Sequence, residues 1–162
     1  MAAITESVEI ARRPEDVFAY LDDYRRHAEW QDTLVRVEVE TAGSPAVGTK
    51  VRETRKMGGR EQTSTYEVTE HDPPRSFAFR TLDGPIRPVG RGRIDALDDG
   101  ARSRVTVELD MVAHGLIGRI IRPLALRQAR KEVPKNQQKL KELLERGGDG
   151  RADSAKTPSP GP

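Results

Sequence analysis

The chain has 162 residues, of which 35% are hydrophobic and 33% charged, with a net charge of +2 and no cysteine. That length suits a single domain, and the missing thiol excludes a disulfide framework, Cys-ligated zinc, an iron–sulfur cluster and a thiol nucleophile. No apolar run approaches the ~20 residues that span a bilayer, and a charge this small does not argue for nucleic acid.

The opening MAAITESVEI lacks the basic and apolar regions of a signal peptide, so a cytoplasmic protein is expected. Ser7–Ala11 alternates Val8 and Ile10 with polar residues and predicts a half-buried strand. PEDVFAYL follows: Pro14 suits the first helical position, Glu15 and Asp16 suit the positive helix end, and Val17, Phe18 and Leu21 form an apolar stripe. A second short helix is expected over Tyr24–Trp30. Thr33–Thr41 reads as a strand with Val35, Val37 and Val39 on one face and Leu34, Arg36, Glu38 and Glu40 on the other.

Thr49–Met57 and Arg60–Glu70 flank Gly58-Gly59, a hairpin signal. A two-residue turn there places Lys50 opposite Glu67, Val51 opposite Tyr66, Glu53 opposite Ser64, Arg55 opposite Gln62 and Lys56 opposite Glu61. Opposite charges meet on one face, and Val51 meets Tyr66 on the other, which supports the register. HDPPR, with His71, is a break before the strand Ser76–Leu82. Val89–Leu97 and Arg102–Ala113 then flank a four-residue loop, Asp98–Ala101, which sets Ile94 against Val105 and Gly92 against Val107. The final element is a long helix with Leu116, Ile117, Ile120, Ile121 and Leu124, then Ala129, Val133, Leu140 and Leu144, at helical spacing. Pro123 and Pro134 should kink or interrupt it, and Gly147-Gly148 should end it. The domain is therefore expected over 1–146, with a disordered tail over 147–162 that carries no large apolar residue.

The charge is uneven. Residues 1–114 hold 17 Lys/Arg and 21 Asp/Glu, net −4, whereas residues 115–146 hold nine Lys/Arg and three Glu, net +6. A basic helix thus follows a mildly acidic body. It reads either as a solvated face or as a surface for anionic lipid or another acidic partner.

The order is strand, two short helices, six strands, long helix. Sequential, hairpin-connected strands make an antiparallel sheet, and a long amphipathic helix must bury its stripe against the sheet's concave face. This order, with PEDVFAYL, HAEWQD, VGTKVRET, YEVTEHDPPRSFAF and a terminal helix ending QQKLKELLE, resembles the START-related superfamily. That group is also called SRPBCC or polyketide cyclase/dehydrase-like. The resemblance covers about residues 3–146. It implies an α+β helix-grip fold, a seven-stranded antiparallel sheet wrapped around the C-terminal helix with an apolar cavity between them. It also implies a small apolar or amphipathic ligand, lipid-, sterol- or polyketide-like. A shared fold does not by itself choose among the activities of such a group.

Alternation gives the inward sheet face Val51, Glu53, Arg55, Ser64, Tyr66, Phe79, Gly92, Val107 and Leu109. Ile120 and Leu124 of the helix are expected to roof it. Gly90 and Gly92 permit bending or close approach, or leave volume for a ligand. Glu53 and Arg55 are either an ion pair at the cavity mouth or an exposed strand end, because a buried charge needs a partner. With Tyr66 they are the candidates for orienting a ligand or moving protons. The resemblance places Trp30, the single tryptophan, near the cavity entrance, as a core or lid anchor or as a ligand contact. His27, His71 and His114 show no metal-ligand spacing, and there is no phosphate-binding loop, so neither a metal nor a cofactor is expected.

Three functional classes are open on these residues. They are a carrier or sensor of a small apolar ligand, a cyclase or dehydratase using polar groups in the same cavity, and an anionic-surface or partner-binding module built on the basic helix. The oligomeric state is open.

Overall fold

The computed structural model describes residues 2–153, the side chains as far as Gly147. The elements are β1 (Ile4–Ile10), α1 (Pro14–Asp22), a 3-10 turn (Tyr24–Glu29), β2 (Leu34–Val39), β3 (Lys50–Met57) and β4 (Arg60–Asp72). After these come β5 (Ser76–Thr81), β6 (Ile86–Leu97), β7 (Arg102–Ala113) and α2 (Gly115–Asp153). The strands form one seven-stranded antiparallel sheet in the order β1-β7-β6-β5-β4-β3-β2. Every link except β1–β7 joins sequence neighbours, so hairpins build the sheet and β1 closes it against the last strand. The expected α+β helix-grip architecture is present.

The registers follow the turn chemistry. Gly58 and Gly59 have φ of 57° and 78°, the left-handed pair that a two-residue hairpin turn requires. Val51–Tyr66, Glu53–Ser64, Arg55–Gln62, Lys50–Glu67 and Lys56–Glu61 are all directly opposite, as are Ile94–Val105 and Gly92–Val107. β4 runs to Asp72, so His71 is on a strand rather than in a loop.

The core lies between the sheet and the helices. Ile10, Val17, Phe18, Leu21, Ile94, Val105 and Leu140 form its largest cluster. A second cluster, Tyr24, Val51, Tyr66 and Val68, sits at the β3–β4 end, and a third joins Ile4 to Leu126 and Ala129.

Three expectations need correction. In β2 a bulge between Leu34 and Arg36 resets the alternation, so Leu34 is buried and Val35 exposed, the reverse of the simple pattern. Pro123 and Pro134 do not interrupt the helix: both are exposed, where water can solvate the carbonyls that lose a partner. It also runs past Gly147 to Asp153, because Gly147 does not take the left-handed conformation of a helix stop. The rest of the expected tail, 154–162, lies outside the described residues. Among the described residues no helix is long and apolar enough to cross a membrane, and no cluster of metal-ligating side chains occurs.

Candidate functional site

A 3-10 helix has three residues per turn, so Tyr24, His27 and Trp30 project from one side of the 3-10 turn. Their rings continue those of the sheet. Trp30 lies edge-on to His27, with centroids 5.4 Å apart, and His27 edge-on to Tyr24, again at 5.4 Å. Tyr24 meets Tyr66 of β4 at 6.3 Å, and Tyr66 meets Phe79 of β5 at 5.2 Å. A line of five rings therefore crosses the β3–β5 side of the concave face.

A polar group is set into this line. Alternation along β3 turns Val51, Glu53 and Arg55 to the same side, and Glu53 is only 7% exposed. Its carboxylate is held by Arg55, whose Nη2 donates to Glu53 Oε2 at 2.8 Å and to Gln31 Oε1 at 2.6 Å. Nη1 of Arg55 donates to Thr33 Oγ1 at 3.1 Å. The choice between ion pair and exposed strand end is thus settled as an ion pair. Its carboxylate is buried, and its guanidinium reaches three partners.

Two further groups have shifted acidity. Burial pushes the His27 imidazole down from its usual range, opposed by its bond to the Leu21 carbonyl and by the Glu53 charge. The ring is neutral at pH 7. Its Nε2 lies 2.7 Å from that carbonyl and must donate to it, which leaves Nδ1 with the free lone pair. Burial, reinforced by the Glu53 charge, raises the Tyr66 phenol well above its usual value, so it keeps its proton and is available as a donor. The cluster thus offers a carboxylate, a guanidinium, a phenolic donor and an imidazole acceptor beside aromatic rings.

The structure divides the predicted residues. Val51, Glu53 and Tyr66 are buried, Arg55, Ser64 and Phe79 half-buried, and all six lie on β3, β4 and β5. Trp30 is half-buried against the main core, with its indole nitrogen buried and unpaired among the described residues. Val107 and Leu109, on β7, pack instead with the clusters near α2. Gly92 leaves no gap: a Cβ placed there would overlap the Phe77 ring, and one on Gly90 the Phe79 ring. The opposed pairs Phe77–Gly92 and Phe79–Gly90 bring this about, because each ring lies over the glycine across the strand. Ile120 and Leu124 do not roof the face. They are 70% and 69% exposed, on the side of α2 turned away from the sheet.

Sequence reasoning missed Tyr24, His27, Gln31 and Thr33. The three-residue repeat of Tyr24, His27 and Trp30 was the available signal, and it is weak in so short a segment. A second polar pair, His71 Nε2 with Asp22 Oδ1 at 2.8 Å, sits beyond Phe18. Two open hollows flank α1. One, of about 510 Å³, is lined by Tyr24, Val39 and Thr49 among others, and one of about 310 Å³ by Phe18, Asp22, Pro73 and Pro74 among others.

Solved structures share this architecture. The Zhui aromatase/cyclase from Streptomyces sp. R1128 superposes with a TM-score of 0.70 at 22% identity, over 96% of this chain and 98% of that one. A START superfamily protein from Mycobacterium smegmatis gives 0.69 at 16% identity, over 87% and 97%. A protein from Thermus thermophilus, TTHA0849, gives 0.68 at 18%, over 87% and 95%. At these identities the likeness shows the fold alone. No curated protein matches the sequence significantly. The family described as polyketide cyclase/dehydrase and lipid transport matches residues 1–145, nearly the whole of the described domain, and the chain belongs to that family.

Proposed function

We propose that the chain binds a small apolar or amphipathic molecule, lipid-, sterol- or polyketide-like, on the concave face. Its apolar body would lie against Tyr24, Tyr66 and Phe79 and its polar end against Glu53 and Arg55. The observation that carries this reading is the buried Glu53–Arg55 pair set among those rings. Such a pair is poor value for stability, since apolar replacements of similar volume are often neutral or better. A few placed polar groups in an aromatic surround are what orients a small ligand. Native mass spectrometry of the purified protein tests the reading. A co-purifying small molecule that is lost in Tyr66→Ala supports it. A bare protein that also binds no fatty-acid or naphthalene probe overturns it.

The convergence of ionisable groups favours a second reading, a cyclase or dehydratase. A neutral His27 Nδ1 suits removal of a proton, and the Tyr66 phenol suits donation to a developing oxyanion. The structural neighbour named as an aromatase/cyclase makes that reading concrete. Incubation with a poly-β-ketone thioester separates the two. A cyclised product that disappears in His27→Gln selects the enzyme, and binding without product selects the carrier.

A further inference from the structure

The first turns of α2 present large aliphatic side chains to the outside. Leu116, Ile117, Ile120 and Leu124 are 74%, 67%, 70% and 69% exposed. At 3.6 residues per turn Ile117, Ile120 and Leu124 lie roughly opposite Leu126, Ala129 and Leu140, which face the sheet, and Leu116 lies at the flank. Farther along, the same outward side carries Arg127, Lys131 and Lys135, all exposed and in no ion pair among the described residues. The outward face thus reads aliphatic first and cationic after.

This segment is fixed in place. Gly118 lies so close to the Pro85 carbonyl that a Cβ there would overlap it. Arg122 donates to the Met111 carbonyl at 2.7 Å and to Asp110 Oδ1 at 3.1 Å. The aliphatic side chains therefore cannot turn inward without breaking those contacts. An exposed apolar patch rimmed by charge marks an interaction surface.

Shape and charge choose the occupant. The face is the outward side of a single helix. A second copy docked over the whole face, with the two-fold axis near the cations, would set like charges against one another. An anionic bilayer takes both parts: branched aliphatic chains enter the acyl boundary, and Lys and Arg meet lipid phosphates. We propose that the outward face of α2, from Leu116 to Lys135, docks the protein on an anionic phospholipid surface. This stands apart from the ligand reading, because none of these residues belongs to the Glu53–Arg55 cluster.

Co-sedimentation tests it, with vesicles of phosphatidylcholine alone and of phosphatidylcholine and phosphatidylglycerol in equal parts. The full chain is expected to bind the mixed vesicles, to leave the neutral ones, and to detach as salt is raised. Arg127→Gln and Lys131→Gln should each weaken binding about fivefold. Ile120→Glu combined with Leu124→Glu should weaken it by roughly tenfold or more, with an unchanged circular dichroism spectrum, since both positions are exposed. Failure to bind the mixed vesicles overturns the proposal, as does undiminished binding by the Ile120→Glu, Leu124→Glu protein. A dimer in light scattering that this variant dissolves, with no vesicle binding by the parent, would assign the face to a second copy and overturn it too.

Discussion

The two sides of the concave face are built differently. Where β1, β7 and β6 lie under α1 and α2, the interior is closed and mainly apolar: Ile10, Val17, Val105 and Leu140 are at most 2% exposed, and the polar groups buried beside them, Ser103 and Gln137, are neutral and hydrogen-bonded to backbone carbonyls. Where β3, β4 and β5 lie, the cover is the 3-10 turn, and the interior includes a carboxylate, a guanidinium and an imidazole. Dense apolar packing holds the fold on the first side. The second side accepts the desolvation of an ion pair, which stability alone does not demand. The contrast is the ground for the proposed ligand site and can be tested one side at a time.

The largest effect belongs to the closed side. Leu140→Ala should destabilise by about 2–5 kcal/mol in urea unfolding, because its side chain leaves a cavity in a packed core. Ile120→Ala, on the same helix but facing outward, should change stability by less than about 0.5 kcal/mol. Equal effects would erase the distinction between the two faces of α2.

Next comes the polar side. Arg55→Met leaves the Glu53 carboxylate buried without its partner, and should cost about 2–3 kcal/mol, below the full buried-pair range because Arg55 is 28% exposed. Glu53→Gln added to it should recover most of that loss. If the double variant is no more stable than Arg55→Met, the pair is not coupled as described.

Gly92→Leu should cost roughly 1–3 kcal/mol, since the added side chain must displace the Phe77 ring. Phe77→Ala in the same chain should make the two substitutions less than additive. Strict additivity in a double-mutant cycle would deny the close approach.

The smallest effect is a pH dependence. His27 is held neutral when folded and titrates near 6.5 when unfolded, so below that pH the unfolded chain binds the extra proton. The stability it contributes is complete above about pH 6.5 and declines as the pH falls below it. His27→Gln should flatten the urea-midpoint profile between roughly pH 7.5 and 5.5. Parallel profiles for the two proteins would show that His27 charges freely in the folded state.

Much of this was legible in the residues, and the failures have physical causes. The β3–β4 and β6–β7 registers were readable because Gly58-Gly59 and Asp98–Ala101 set the turns and cross-strand charges agreed with them. The bulge at Leu34–Arg36 left no mark in an otherwise regular alternation. Along α2 the apolar residues look like one stripe, but Leu116–Leu124 and Leu126–Leu140 lie on opposite sides. Hydrophobic spacing shows that a face exists and not which face meets the sheet. Glu53 and Arg55 were found through strand alternation. The further partners of Arg55, Gln31 and Thr33, were not, because long-range hydrogen bonds to a loop leave no periodicity. Gly92 read as space because the chain alone does not show that the ring opposite lies across it.

The central claim is that the ligand lies on the β3–β5 side of the concave face. Backbone amide NMR during titration with a naphthalene or fatty-acid probe tests it most directly. The account predicts the largest shifts at Tyr24, His27, Val51, Glu53, Tyr66 and Phe79, with Leu116–Leu124 undisturbed in the absence of vesicles. Shifts confined to α2, or centred on Ile10, Val105 and Leu140, would contradict it.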